Sequence, residues 1–386
     1  AQRGEGVCRG QGHDRAVTCE FSICSHYGRR PDGVKQPEKA LIFERIKQKS
    51  AVGLTRQASP AQPARMPDST QPLGLIGDIG ATNSRLALVE PGGAIEQIRV
   101  FASDEFVSLA DMIEAYFASK ARARKPPRAV LAVAAPVTGD EVSFTNLPWT
   151  FSIEELRRRF GFSHLRVIND FVADALAIRH LDAGDRLQVG PGAPAADAPI
   201  GVIGPGSGLG VGALIPTASG FTPLQSEGGH VTLPAGDERE AAVLAHLRRR
   251  FDHVSAERVL SGPGLINLYT ALCELAGEPS EQLTAAQITD AHMGETHPRA
   301  HEATEMFCTM LGSVAGDLAL TLGARGGVYI AGGIVPRLGT AFAHSGFRAR
   351  FEAKGRFRGY LAAVPTYVIT RPLPAFVGLA QVLDEL

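Results

Sequence analysis

The sequence predicts an α/β protein whose ligand crevice lies at the carboxyl ends of its strands, and three observations point there. Leu165–Ile178 (LRVINDFVADALAI) reads as an apolar strand that ends on Asn169-Asp170 and turns directly into a helix. Two glycine-rich turns, one around 77–83 and one around 204–210, each join one apolar β-type run to another. The chain is also 386 residues long, enough for two domains with substantial cores. Open α/β sheets bind ligands outside the carboxyl ends of their strands, so an aspartate placed like Asp170 faces the crevice.

Composition narrows the partners. Hydrophobic residues at 44% and charged residues at 20% are ordinary for a globular protein, and a net charge of −1 gives no reason to expect nucleic acid or an anionic membrane. Residues 1–65 carry 12 Lys/Arg against 6 Asp/Glu, leaving 27 against 34 for the rest. Either an interaction tail or a solvated, unstructured tail fits that basic excess. Residues 1–72 sustain no hydrophobic period; only Ala40–Lys47 hints at a short helix, and 55–72 (TRQASPAQPARMPDSTQP) has linker composition. The first methionine is Met66, just ahead of a strand beginning at Leu73. Residues 1–71 are therefore expected to be a disordered or non-native extension, with 1–65 translated from upstream of the working enzyme. Cys8, Cys19 and Cys24 lie in that segment; Cys273 and Cys308 lie apart in apolar helical surroundings. No C-x-x-C pair supports a zinc site or a redox dithiol, and a reducing cytoplasm fits. No apolar run approaches ~18 residues, so no transmembrane helix is expected, and the start of the chain lacks a signal pattern.

Taken along the chain, Leu73–Val89 (LGLIGDIGATNSRLALV) reads as a hairpin around Gly77, Asp78, Gly80, Thr82 and Asn83. Its glycines let backbone N–H groups approach an anion, and Asp78 can hold a hydrated cation. A plain hairpin with Asp and Asn in turn roles fits the same residues. Asp170 can accept a proton from a substrate hydroxyl, or simply cap the helix that opens at Phe171. Pro199–Leu214 (PIGVIGPGSGLGVGAL) repeats the shape strand, glycine-rich turn, strand. It is not a dinucleotide fingerprint, since the sixth place from Gly204 is Leu209 and from Gly206 is Val211; no Lys-Ser/Thr follows to make a Walker loop. Ser207 lacks the glycines of a nucleophile elbow, because Pro205 and Leu209 flank it. Two such hairpins from two lobes can grip a polyphosphate between them.

In Gln225–Leu233 (QSEGGHVTL), Glu227 and His230 bracket a Gly-Gly turn and can point to one side, which suits paired hydrogen bonds to sugar hydroxyls; a solvated surface turn is the alternative. Too few further ligands lie at suitable spacing for a metal site. In Val254–Gly264 (VSAERVLSGPG), Ser255 is expected to cap a helix with Glu257 in its first turn, where dipole stabilisation alone explains a carboxylate. Gly326–Pro336 (GGVYIAGGIVP) is a short buried strand ending in Gly332-Gly333, which permits close approach of a ring or phosphate, or just a tight turn. His164, His180, His246, His253 and His344 are scattered singly and read as surface or core histidines.

LIGDIGATNSRLAL, TNLPWTFS, VINDFVA, GPGSGLGV, EGGHV, HVSAERVLSGPGLINLY and GVYIAGGIVPR, in that order, closely resemble the bacterial glucokinases of the hexokinase/actin-like superfamily, in its non-ROK branch. The resemblance runs from about Leu73 to the C-terminus; the cysteine-rich zinc motif of ROK sugar kinases is missing. It implies two ribonuclease-H-like α/β lobes around a central cleft: a small lobe of 72–180 plus 371–386 and a large lobe of 181–370. By the same resemblance Asp170 is the general base for the sugar 6-hydroxyl, and Asn169, Glu227, His230 and Glu257 bind the other hydroxyls. Gly77, Asp78, Ile79, Gly80, Ala81 and Thr82 look like the first phosphate turn, with Asp78 near Mg²⁺ through water. Gly206, Ser207 and Gly208 look like the second, and Gly332 and Gly333 like the adenosine-side turn. The implied substrates are D-glucose and ATP, the product glucose 6-phosphate at the entry to glycolysis, and the implied assembly a homodimer. One departure stands out: where the family more often has Gly-Gly-Thr, this chain has Gly80-Ala81-Thr82.

A non-catalytic sugar-binding regulator on the same scaffold would be favoured by loss of Asp170 or of a glycine turn, and neither is lost. An actin- or chaperone-like ATPase would have no use for the Glu227–His230 pair. The leading segment gives the first test. A chain begun at Met66 is expected to be soluble and active in a glucose-dependent ADP-release assay; an inactive or insoluble product refutes the view that residues 1–65 are dispensable.

Overall fold

Why two open sheets form is visible in the strand sequences: short β-branched and leucine-rich runs bounded by Gly, Pro and Asn turns. The computed structural model describes residues 72–119, 125–144, 146–293 and 297–386. The expected helix at Ala40–Lys47 lies outside them. In chain order the first half contains β1 (Gly74–Ile79), β2 (Asn83–Val89), β3 (Ile95–Ala102), α1 (Leu109–Ala118), β4 (Arg128–Val133), β5 (Glu141–Ser143), β6 (Thr150–Ser152), α2 (Ile153–Phe160), β7 (His164–Asn169) and α3 (Asp170–Ala177). The second half opens with β8 (Arg186–Gln188), β9 (Ile200–Pro205), β10 (Leu209–Thr217), β11 (Gly220–Ser226), α4 (Glu238–Leu247), α5 (Gly262–Ala276), α6 (Ala285–Met293) and α7 (Pro298–Leu322). It closes with β12 (Val328–Ile330), α8 (Val335–Leu338), α9 (Thr340–His344), α10 (Phe347–Glu352), α11 (Arg358–Ala362), β13 (Thr366–Ile369) and α12 (Pro374–Asp384).

The two main sheets share one topology. The first runs β3-β2-β1-β4-β7 and the second β11-β10-β9-β12-β13, with β8 added at the far edge. In each, a three-strand antiparallel meander is followed by two strands parallel to its first member. Register aligns Ile79 with Val133 and Val133 with Asn169, so β1, β4 and β7 end together. Ile203, Ile330 and Val368 are aligned likewise in the second sheet. Both glycine-rich turns therefore leave from the carboxyl end of a parallel trio, where open sheets place their ligands.

The helix α3 binds the halves together. Ala173 packs with Ile76 and Val130 of the first sheet and with α12, while Ala175, and Ile178 just past the helix, pack with Val202, Leu214 and Tyr329 of the second. Small side chains let α3 lie close to both. Gly378 of α12 does the same from the other side, because a Cβ there would overlap the carbonyl of Ala173.

Three expectations change. Ser255 does not start a helix: its Oγ accepts from Arg258 N at 3.3 Å within a turn, and the helix begins at Gly262, capped by Ser261, whose Oγ accepts from Gly264 N at 3.0 Å. Pro263 sits in the first turn of that helix, where a missing N–H costs nothing, so Ser261 was the better capping candidate. The helix after β7 is capped by Asn169 rather than Asp170, which is itself the first helical residue. And α7 is, by length and composition, apolar enough to cross a membrane, with a mean hydropathy of 1.2. Because 61% of that stretch is buried within the protein, it is the central core helix of the second half.

Candidate active site

Asp78 on β1 stands directly opposite Arg85 on β2, and the pair closes an ion pair at 3.1 Å. Burial raises the Asp78 carboxyl above its ordinary range, and the Arg85 charge opposes that. Beyond them the chain turns at Gly80, where a Cβ would meet Asn83 O at 2.7 Å. Ser103 ties the turn from behind: its Oγ donates to Gly80 O at 2.8 Å and its N–H to Thr82 O at 3.0 Å.

Asn169 and Asp170 follow from the end of β7. Asn169 Oδ1 accepts from Phe171 N at 3.0 Å and its Nδ2 donates to Ala135 O at 3.4 Å, fixing the strand-to-helix corner. Asp170 Oδ1 also accepts from Phe171 N, at 2.9 Å. Its carboxyl is pushed up to about 7, chiefly by burial, then by the charge on Asp78, with a smaller push from Glu227. A carboxylate poised near neutrality is suited to general-base work at physiological pH. One helical turn on, Asp174 is raised well above the usual carboxylate range by burial, Asp78 and Asp170.

The second hairpin supplies the facing wall. Gly206 N donates to Gly208 O at 2.8 Å, and Gly262 N, opening α5, donates to Gly206 O at 2.8 Å. Glu257 is the local strut. Its Oε2 accepts from Leu209 N at 2.9 Å, its own N–H donates to Gly229 O at 2.9 Å, and its carbonyl accepts from Ser261 Oγ at 2.8 Å. Glu257 thus couples the second glycine turn to the Glu227–His230 turn. That turn is a single 3₁₀ turn closed by His230 N to Glu227 O at 3.0 Å. Gly332 has φ +81°, and a Cβ there would overlap Pro205 O, so only glycine lets β12 end against the second hairpin.

These elements enclose a cleft of about 550 Å³, a volume suited to small-molecule ligands. It brings together Asp78, Gly80, Ala81, Asn169, Asp170, Gly206, Ser207, Gly208, Glu227, His230, Glu257, Gly332 and Gly333. Gly77, Ile79 and Thr82 are not among its lining residues. Gly77 is needed for packing, since a Cβ would meet Leu86 and Leu131 at 2.7–2.8 Å; Ile79 is fully buried; Thr82 is exposed at the hairpin tip. Sequence reasoning missed Arg85, Asn146 and Asp174, all on the cleft wall. Hairpin pairing opposite Asp78 and helical spacing from Asp170 were the signals for the first and third. Among the described residues no group of three His, Cys, Asp or Glu side chains could ligate a metal directly. The partly exposed Asp78 carboxylate does fit a hydrated Mg²⁺, which binds proteins through one or two carboxylates and keeps its waters.

Duplicated sheets of this topology, with a glycine turn from each and a near-neutral aspartate between them, define the class as a phosphotransferase of the actin-like fold. The Glucokinase family model matches residues 75–386, and the chain belongs to that family. The glucokinases of Paramagnetospirillum magneticum and Aromatoleum aromaticum are each 51% identical over 312 residues; the match covers 81% of this chain and 97% and 94% of theirs. The crystal structure of a glucokinase from an Antarctic psychrotroph superposes with a TM-score of 0.71 at 38% identity, covering 81% of this chain and 99% of that one. A ROK family glucokinase from Streptomyces griseus, in complex with glucose and AMPPNP, has a TM-score of 0.56 at 18% identity over 81% of this chain and 99% of its own, a likeness of fold alone. The protein is accordingly an enzyme, an ATP-dependent hexose kinase.

The raised carboxyl of Asp170 has a consequence for stability. Its value of about 7 when folded exceeds the ordinary 3.8. Between those pH values the folded state holds the extra proton, so stability falls as pH rises through the window and the penalty is complete above about 7. Asp170→Asn removes it. Discounted for the water that reaches the cleft, the gain is about 1–3 kcal/mol at pH 8. Ligand-free thermal denaturation should show a Tm several degrees higher than wild type at pH 8, converging towards pH 4; equal Tm at pH 8 contradicts the burial argument.

Proposed function

We propose that this enzyme transfers the γ-phosphoryl group of ATP to the 6-hydroxyl of D-glucose, with Asp170 as the general base. The observation that carries the reading is Asp170 itself. Its carboxyl lies at the carboxyl end of a parallel trio of strands, is pushed towards neutrality, and faces a cleft walled by both glycine turns. Phosphoryl transfer asks a protein mainly for positioning and charge neutralisation, and this cleft offers both.

In this reading the small lobe is 72–180 plus 371–386 and the large lobe 181–370. The two sheets, and the packing of α12 against β1, β4 and α3, support that division. The turn at Asp78, Gly80 and Ala81 and the turn at Gly206, Ser207 and Gly208 hold the polyphosphate by backbone N–H groups, and Gly332 and Gly333 lie towards the adenosine. Asn169, Glu227, His230 and Glu257 hydrogen-bond the sugar hydroxyls. Glu257 needs a free oxygen for this, and Oε1 remains once Oε2 has accepted from Leu209 N. Asp170 takes the hydroxyl proton as the oxygen attacks. Asp78 would hold a hydrated Mg²⁺, which would supply neutralisation of the polyphosphate charge. Closure over glucose excludes water and limits ATP hydrolysis. Cytoplasmic location and a homodimer complete the proposal on family resemblance alone.

Asp170→Ala is expected to lower kcat by about 10²–10⁴-fold while glucose still binds, in a coupled ADP-release assay and calorimetry; substantial residual kcat removes Asp170 from its role. Glu227→Gln should act mainly on the sugar, weakening glucose affinity about tenfold or more. Unchanged affinity by calorimetry rules that contact out.

A further inference from the structure

Asp174 is the cleft-lining carboxylate for which neither the proposed chemistry nor the local packing has a use. It lies on α3, four residues past Asp170, and that spacing puts both side chains on one face of the helix with their Cβ atoms about 5–6 Å apart. It lines the same cleft. Burial first, and then the charges on Asp78 and Asp170, push its carboxyl up. The residue is half-buried on the cleft wall.

The partners of its neighbours sharpen the contrast. Asp78 has Arg85 at 3.1 Å, and Asp170 has the N–H of Phe171 at 2.9 Å. Among the described residues the Asp174 carboxyl has neither a hydrogen bond nor an ion pair. A half-buried carboxylate without a donor is costly to keep ionised, and the charges that act on it, Asp78 and Asp170, have the same sign. What would satisfy it is a cation arriving with the substrate. Among the described residues no three such groups converge to cage an ion directly. A hydrated divalent ion spans longer distances through its water shell, and such outer contacts need only an oxygen acceptor facing the ion.

We propose that Asp174 is a positioning residue for the nucleotide-bound Mg²⁺, accepting hydrogen bonds from the ion's water shell on the side away from Asp78. This rests on the kinase reading above and deepens it. Asp78 on the first hairpin and Asp174 on α3 would then both serve the hydrated ion from the cleft wall they share. The ion's place relative to Asp170 is thereby fixed by a single rigid turn of α3.

The test is metal binding rather than turnover. Titration of the full chain with Mn²⁺ in the presence of ADP, followed by electron paramagnetic resonance, is expected to show 10–100-fold weaker Mn²⁺·ADP binding for Asp174→Asn, the loss usual for outer-shell partners. Metal-free ADP in EDTA and glucose alone should bind within twofold of wild type. Asp174→Glu, which keeps the carboxylate, should recover part of the lost metal affinity, and a Tm no lower than wild type for each variant checks folding. Wild-type Mn²⁺·ADP affinity in Asp174→Asn overturns the proposal, and so does a parallel loss of metal-free ADP and glucose binding, which marks a merely structural role. Formation of glucose 6-phosphate by the wild-type chain from glucose and MgATP tests the kinase reading separately, so the two failures are distinguishable.

Discussion

The site depends on one packing contact: the ring of Phe171 seated in a notch of the second hairpin. An added Cβ at Gly204 would meet that ring at 2.7 Å, and one at Gly210 would overlap it outright. Phe171 follows Asp170 directly, and its N–H is the donor shared by Asn169 and Asp170. Seating the ring therefore fixes the residue whose amide orients both polar side chains. The first sheet supplies the strand that ends at Asn169, and the second supplies the glycines that receive Phe171. Asp170 is held at their junction, and neither half alone would place it. A bulkier residue at Gly210 would displace α3 from the second sheet and misplace the carboxylate without touching it.

Charge is the second constraint. Five carboxylates line the cleft, Asp78, Asp170, Asp174, Glu227 and Glu257, against the guanidiniums of Arg85 and Arg371. Arg371 is engaged with Asp185 at 2.9 Å, so Arg85 is the guanidinium whose ion pair lies within the cleft itself. A polyanionic nucleotide meets net repulsion in such a space unless a cation accompanies it. The same crowding explains the shifts on Asp78, Asp170 and Asp174: burial is the largest cause for each, and like charge adds to it for Asp170 and Asp174. The cleft is thereby matched to a metal-bound nucleotide, whose metal neutralises carboxylates and phosphates together.

Much of this was legible in the chain. Both hairpins and the strand-to-helix corner at Asn169-Asp170 are local events, written in glycines, apolar runs and a capping residue within about ten positions of one another, and the structure has them where the sequence puts them. The helix start near Glu257 was misread because Ser255 and Ser261 both satisfy local capping chemistry. Only the tertiary bridge from Thr232 to Ser255 and the bond from Gly262 N to Gly206 O decide between them. Gly77 and Ile79 illustrate the opposite error. They belong to a motif by position, yet one is small to admit Leu86 and Leu131 and the other is core. Arg85 was hidden because a cross-strand pair is apparent only once register is known.

Two chain segments cross between the sheets, and they are tied to each other. One runs from α3 to β8 and the other from β13 to α12. At Asp185 on the first, the backbone carbonyl accepts from the N–H groups of both Thr370 and Arg371 on the second, at 2.8 and 3.1 Å. The Asp185 carboxylate accepts from Asp182 N at 3.1 Å and pairs with the Arg371 guanidinium, which together hold it below its ordinary range. Leu373, at the start of α12, has φ +53°, a left-handed conformation that a non-glycine residue keeps only when its surroundings impose it. Residues 370–374 also line the cleft. The two crossings are therefore clasped beside the wall of the cleft that Asp170 also lines. The helix carrying the proposed base is also the one connecting the halves, so the packing that joins the two sheets is the packing that places the carboxylate.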